Sequence, residues 1–141
     1  IHKVSYPYVL ICGIYILSFR KGDGPIGLIM VPTRELALQI FSEAKKYGKV
    51  YNITVICAYG GGNKYEQSKS LEQGAEIVIA TPGRMIDMIK MKATNLERVT
   101  YLGNLLPFFL SPCVLIEIEF FFAKLHKKVA NVFVVVLYYF I

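Results

Sequence analysis

Residues 26–40 have the sequence IGLIMVPTRELALQI, which indicates the fold class of this chain. The first six form an unbroken apolar run, which is typical of a strand buried on both faces of a sheet. From Arg34 onward the apolar residues recur at helical spacing, which predicts a helix over residues 34–47 with Gly48 as its C-terminal stop. A buried strand that passes directly into a helix is the first half of a βαβ unit.

The same strand-to-helix pattern recurs further along the chain. Additional strands are predicted over residues 53–59, 76–80 and from residue 99 to residue 102. Asn63 is suited to cap the second helix, which Gly74 ends, and Thr81 with Pro82 opens the third. Strands separated by helices form right-handed crossovers in a parallel sheet. The sequence therefore predicts an α/β fold with helices flanking a parallel sheet.

Three segments fall where these predicted strands end, at residues 32–34, 60–62 and 81–84. Parallel sheets bind their ligands at this edge. Thr33 with Arg34, and Thr81 with Arg84, each place a hydroxyl and a guanidinium at a helix start, where unpaired N–H groups attract phosphate. Either pair alone is also compatible with an ordinary N-cap and a solvated arginine. Their recurrence favours a clamp on a nucleic-acid backbone, with binding that is sequence-independent and salt-sensitive.

The run Gly60-Gly61-Gly62 has two interpretations. It is either a flexible turn or a place where absent side chains let a sugar-phosphate backbone approach the main chain. The residues alone leave both open.

Composition is consistent with an intracellular protein that has an anionic partner. Sixteen Lys and Arg against ten Asp and Glu give a net charge of +6 over 141 residues. The three cysteines are isolated, which favours reduced thiols over a disulfide framework or a zinc site. Apolar residues are concentrated in residues 1–20 and 103–141, whereas residues 21–102 have an ordinary globular composition. The apolar stretch in residues 4–19 is shorter than the roughly 20 residues of a membrane span, so no membrane association is favoured.

Residues 21–102 resemble the first RecA-like lobe of the DEAD-box ATP-dependent RNA helicases, a fold of the P-loop NTPase type. PTRELA at residues 32–37 looks like that family's motif Ia, Gly60-Gly61 like its GG motif and TPGR at residues 81–84 like its motif Ib. Tyr59 before the glycines and Gln67 after them also fit, and GDGPI at residues 22–26 looks closest to a splicing-linked subgroup. The resemblance implies single-stranded RNA as the partner, gripped by its phosphate backbone. The residues it assigns to RNA binding are Pro32, Thr33, Arg34, Gly60, Gly61, Thr81, Pro82, Gly83 and Arg84.

Motifs for nucleotide hydrolysis do not accompany this resemblance. The chain has no G-x-x-x-x-G-K-[ST] loop, and after Leu102 the residues GNLLP stand where the family has Asp-Glu-Ala-Asp. We therefore expect ATP and Mg²⁺ to serve the parent helicase, while this chain binds neither tightly and has no catalytic or metal-binding residue. The second RecA-like lobe is missing as well.

The loss of resemblance at both ends predicts a partial lobe, a fragment of a longer helicase located in the nucleus or the cytoplasm. Residues 1–20 and 103–141 are expected to lie outside the lobe, with poorly specified structure. The alternatives are a stand-alone RNA-binding module and a small membrane-associated protein.

Overall fold

The computed structural model describes residues 22–104 and 133–136, which form a single parallel sheet with three helices. In chain order the elements are β1 (Gly27–Met30), α1 (Arg34–Tyr51), β2 (Val55–Ala58), α2 (Lys64–Glu72), β3 (Ile77–Ala80), α3 (Pro82–Lys90), β4 (Tyr101–Asn104) and β5 (Phe133–Val136). The strands lie side by side in the order β2-β3-β1-β4-β5, and every pairing is parallel. The predicted α/β class is confirmed.

Strand β1 lies in the middle of the sheet, as its apolar run predicts. Leu28 is in register with Val78 of β3 on one side and with Leu102 of β4 on the other. All four residues of β1 and all four of β3 are buried. Their side chains therefore enter two separate cores, one on each face of the sheet.

Alternate residues of the central strand distribute between these cores. Leu28 and Met30 join one cluster with Met85 and Met88 of α3. Ile29 and Val31 join the other cluster, to which α1 contributes Ala37 and Ala44. The helices therefore cover both faces of the sheet, and the exposed residues Thr33, Gly60 and Gly83 follow shortly after the ends of β1, β2 and β3.

Helix α1 begins where the sequence predicts and ends one turn later. The Thr33 hydroxyl accepts a hydrogen bond from the Leu36 amide at 3.3 Å. The predicted stop at Gly48 is wrong, because α1 continues to Tyr51 and ends at Asn52, which has the left-handed φ of 55°. A Cβ on Gly48 would lie 2.8 Å from the Ile53 carbonyl oxygen and 3.1 Å from Val55 Cγ2. This glycine lets the chain that enters β2 pack directly against the helix.

The other predicted helix boundaries agree with the structure. The Asn63 side chain caps α2 by accepting from the amides of Tyr65 and Glu66. Gly74, with a φ of +95°, follows the end of that helix. Pro82 is the first residue of α3.

Strand β5 lies in the apolar tail, which the sequence leads us to expect outside the lobe with poorly specified structure. Phe133–Val136 pairs in parallel with β4 at the edge of the sheet, with Val134 opposite Leu102. Four residues of the apolar tail thus extend the sheet. The expectations for residues 1–20, and for the tail between β4 and β5, lie outside the described residues.

None of the three helices in residues 22–104 has the combination of length and apolarity that a membrane crossing requires.

Candidate nucleic-acid interface

The three predicted binding segments meet around one loop, residues 59–62, which connects β2 to the N-cap of α2. Arg34 approaches this loop from α1, with its Nη1 3.5 Å from the position that a Cβ on Gly61 would take. Arg84 approaches from α3 and donates to the carbonyl oxygen of Gly62. The two arginines therefore flank the same loop, at the edge where β1, β2 and β3 end.

Arg34 presents an exposed guanidinium that is held by an aromatic ring. Its Cζ lies 5.0 Å from the centroid of the Tyr59 ring, within the range of a cation–π contact. Among residues 22–104, no carboxylate or carbonyl group pairs with it. The donors of this fork are consequently free for an anionic ligand.

Arg84 is in a different situation, because its donors already have partners within the protein. Nη1 and Nη2 each lie 3.3 Å from the Gly62 carbonyl oxygen. Nη1 also donates to Gln67 Oε1 at 2.9 Å. The side chain is half-buried between α2, α3 and the loop.

Gln67 connects Arg84 to the end of β2. Its Oε1 accepts from the Tyr59 amide at 3.1 Å, and its Nε2 donates to the Tyr59 carbonyl oxygen at 3.3 Å. One carboxamide therefore satisfies both backbone groups of Tyr59 while it also accepts from Arg84. Sequence reasoning noted Gln67 only as part of the family pattern and did not include it among the site residues. The available signal was its position one turn after the Asn63 cap, on the side of α2 that faces back to the loop.

Four glycines at this edge fall into two groups. Gly61 has a φ of +77°, which a side chain would strain. A Cβ on Gly62 would lie 2.5 Å from Gln67 Nε2 and 2.8 Å from Tyr59 Cε2. In contrast, a Cβ on Gly60 or Gly83 would meet no atom of the described residues within 4 Å, and neither glycine has a positive φ. The fold explains Gly61 and Gly62 but gives no reason for Gly60 and Gly83, which border open space.

The N-terminus of α3 lies next to this open space with its backbone donors uncapped. Thr81 precedes the helix in an extended conformation, and its side chain makes no capping hydrogen bond, unlike Thr33 and Asn63. The first turn of α3 has no acidic residue, whereas α1 has Glu35 there. The positive end of the helix dipole is therefore not neutralised locally.

A shallow depression of about 440 Å³ lies in front of this helix end. Its lining includes Gly60, Thr81, Gly83, Arg84, Asp87 and Lys90. Asp87 forms an ion pair with Lys64 of α2 at 3.0 Å, and both side chains are partly exposed. The hydrogen bond from Lys64, together with nearby positive charge, lowers the pKa of Asp87 below its usual value of 3.8. This pair tethers α2 to α3 beside the depression.

The described residues do not fit a nucleotide and its metal ion. Within residues 22–104, no group of three His, Cys, Asp or Glu side chains could hold a cation. Strand β4 ends in Gly103 and Asn104, neither of which supplies a carboxylate. Burial raises the pKa of the Cys57 thiol from 9.0 to about 11, so this cysteine is not an activated nucleophile. The arrangement is suited to binding an anion.

Comparisons with known proteins identify the family. The DEAD/DEAH box helicase family model matches residues 8–102. The chain is 62% identical over 85 residues to the ATP-dependent RNA helicase DDX42 of Gallus gallus. The aligned stretch covers 60% of this chain and 9% of that protein. It is 58% identical over 85 residues to the DEAD-box ATP-dependent RNA helicase 24 of Oryza sativa subsp. japonica, covering 60% of this chain and 11% of that protein. The matched stretch thus spans about a tenth of the length of these relatives.

A solved structure has a similar fold. The yeast DEAD-box splicing factor Prp28 superposes with a TM-score of 0.75 at 26% sequence identity, covering 94% of this chain and 32% of that one. The family model matches well over half of the sequence, and it includes the strand-and-turn segments that form the edge described above. The chain belongs to the DEAD/DEAH box helicase family.

Proposed function

We propose that this chain binds single-stranded RNA through the phosphate backbone, as part of a helicase that couples ATP hydrolysis to RNA unwinding. The relatives named above are ATP-dependent RNA helicases, which supports RNA as the polyanion. The observation that carries the proposal is the open edge itself. There an exposed arginine with no acceptor among residues 22–104 lies beside the loop of residues 59–62. An uncapped helix N-terminus and two glycines without a structural role border the adjacent depression.

The chemistry of this edge suits consecutive phosphates. The Arg34 fork offers charged donors, and the Gly83 and Arg84 amides with the Thr81 hydroxyl offer neutral ones. Gly60 and Gly83 let the sugar-phosphate chain approach the backbone closely. Pro32 and Pro82 shape the two turns, and Thr33 fixes the start of α1. None of these groups reads a base edge, so the binding is independent of sequence.

We further propose that the chain alone does not hydrolyse ATP. Phosphoryl transfer requires a phosphate-binding loop and carboxylates that hold Mg²⁺, and the 141-residue sequence has neither motif. ATP and Mg²⁺ belong to the complete helicase, where a second RecA-like lobe would close over the RNA in the nucleus or the cytoplasm. This proposal is refuted if the chain releases phosphate from ATP, if RNA stimulates the release, and if Arg34→Ala abolishes it.

A salt titration tests RNA binding. Fluorescence anisotropy of two single-stranded RNAs with unrelated sequences is measured with the full chain at about 50 and 200 mM salt. With about three phosphate contacts the logarithmic salt slope is about −2, so affinity falls roughly 20-fold over this range for both RNAs. The proposal fails if neither RNA binds, or if one sequence is strongly preferred with little salt dependence.

A further inference from the structure

The two arginines at the interface have the same residue type and similar positions at helix starts, but their surroundings differ. Arg34 is exposed and none of its donors has an acceptor among residues 22–104, whereas Arg84 is half-buried and donates to Gly62 and Gln67. A guanidinium that already has two acceptors must give up those hydrogen bonds before it can bind a phosphate. The sequence motifs predict the same role for both arginines, but their hydrogen-bond partners in the structure differ.

We propose that Arg84 is a positioning residue that acts through the loop of residues 59–62, and that Arg34 is the arginine that contacts phosphate. This division of roles rests on the proposed RNA binding. Arg84 fixes the loop at its distal end through the Gly62 carbonyl. Gln67 fixes the proximal end through both backbone groups of Tyr59 and joins the two anchors by accepting from Arg84.

The fixed loop holds both the open glycine and the ring beneath Arg34. Gly60 lies between the two anchored residues, and the Tyr59 ring carries the Arg34 guanidinium at 5.0 Å. If the anchors are lost, Gly60 and the Tyr59 ring both lose their fixed positions. The Arg84–Gln67 pair therefore holds the loop of residues 59–62 in its binding conformation before RNA is present.

The planar shape of the Arg84 guanidinium allows its two possible roles to be distinguished. Lysine keeps the positive charge but lacks the planar fork, so it cannot donate simultaneously to Gly62 and Gln67 in the same geometry. As a point charge it still binds phosphate well. Arg84→Lys should therefore weaken binding if Arg84 positions the loop, and should be nearly neutral if Arg84 contacts RNA. Arg34→Lys is the matched control.

The experiment measures the affinity of the 141-residue chain for a single-stranded RNA over a series of salt concentrations. We expect Arg84→Lys to lower affinity about tenfold without changing the salt slope, because no phosphate contact is removed. Arg34→Lys should also leave the salt slope unchanged because the charge remains, whereas Arg34→Ala should reduce the magnitude of the slope by about 0.7. Gln67→Ala should cost about as much as Arg84→Lys, and the double variant no more than the larger single effect, since both act on one unit. The proposal is overturned if Arg84→Lys binds like wild type, or if the two losses multiply.

A second measurement needs no RNA. Amide hydrogen exchange of residues 59–62 should accelerate at least tenfold in Arg84→Lys and remain unchanged in Arg34→Lys. Unchanged exchange in Arg84→Lys would contradict the positioning role. If wild type fails to bind RNA while this exchange pattern holds, the proposed function is wrong and the structural role of Arg84 stands.

Discussion

Alanine at Gly83 should separate the stability of the fold from its capacity to bind RNA. A Cβ at this position meets no atom within 4 Å in the part of the chain that the structure describes, and Gly83 is the second residue of α3. Alanine is favoured over glycine in helices by at most about 1 kcal/mol, so the variant should be as stable as wild type or slightly more stable. The added methyl group occupies the space in which we place the RNA backbone. Loss of one charge-assisted hydrogen bond to phosphate is worth about 1.5–3 kcal/mol, so affinity should fall roughly 10- to 100-fold.

Gly62→Ala is the matched control, because here the fold itself forbids a side chain. Its Cβ would lie 2.5 Å from Gln67 Nε2 and 2.8 Å from Tyr59 Cε2. Gln67 would have to move away from Tyr59, and such overpacking typically costs about 1–3 kcal/mol. This variant should therefore lose both stability and affinity, whereas Gly83→Ala loses affinity alone.

The assay combines thermal unfolding followed by circular dichroism with anisotropy titration of a single-stranded RNA. Gly60→Ala should behave like Gly83→Ala, because its Cβ also enters open space. If Gly83→Ala and Gly60→Ala both bind RNA as tightly as wild type, the open edge is not where the backbone lies. If either one unfolds at a much lower temperature, a structural reason for that glycine has been overlooked.

Three further perturbations follow from the contacts. Asn63→Ala removes the side-chain cap of α2 and should lower the free energy of unfolding by about 1 kcal/mol, measured by urea denaturation; an unchanged midpoint would contradict the capping role. With the other two cysteines replaced by serine, Cys57 should react with iodoacetamide about 100-fold more slowly near pH 8 than in the denatured chain, because raising its pKa from 9.0 to about 11 depletes the thiolate; equal rates would show that the thiol is not buried. Asp87→Asn removes a negative charge from the lining of the depression and should strengthen RNA binding about two- to fivefold at low salt, with a smaller gain at high salt; weaker binding would show that the ion pair with Lys64 matters more than the charge.

Most of the fold was predictable because the local signals agree with one another. The apolar run before Pro32 identified the central strand, which is buried along its whole length. Thr33, Asn63 and Pro82 marked helix starts that the structure confirms. These signals are local, since a cap or a buried strand needs only a few neighbouring residues.

The features that the sequence did not predict correctly depend on contacts between residues that are distant in sequence. Gly48 has the residue type of a helix stop, but its role is set by the approach of Ile53 and Val55 after the chain has turned back. Strand β5 owes its place to pairing with β4, from which it is separated by 28 residues, and nothing in its own pattern specifies a register.

The candidate site was predictable in its location but not in its internal organisation. Parallel topology alone brings the three segments to one edge of the sheet. The motif lists Arg84 beside Arg34 as an equivalent arginine, and only the side-chain geometry shows that Gln67 and Gly62 already occupy its donors.

Mapping the RNA contact on the chain itself would show whether RNA lies along Arg34, Gly60 and Gly83. Backbone amide chemical shifts of the ¹⁵N-labelled chain are followed while a short single-stranded RNA is added at low salt. We predict that the largest changes occur at Arg34, Gly60 and Gly83, and that amides at the opposite edge, near Asn52 and Gly74, do not shift. Changes that cluster at Asn52 and Gly74, with Gly60 and Gly83 unaffected, would contradict the account.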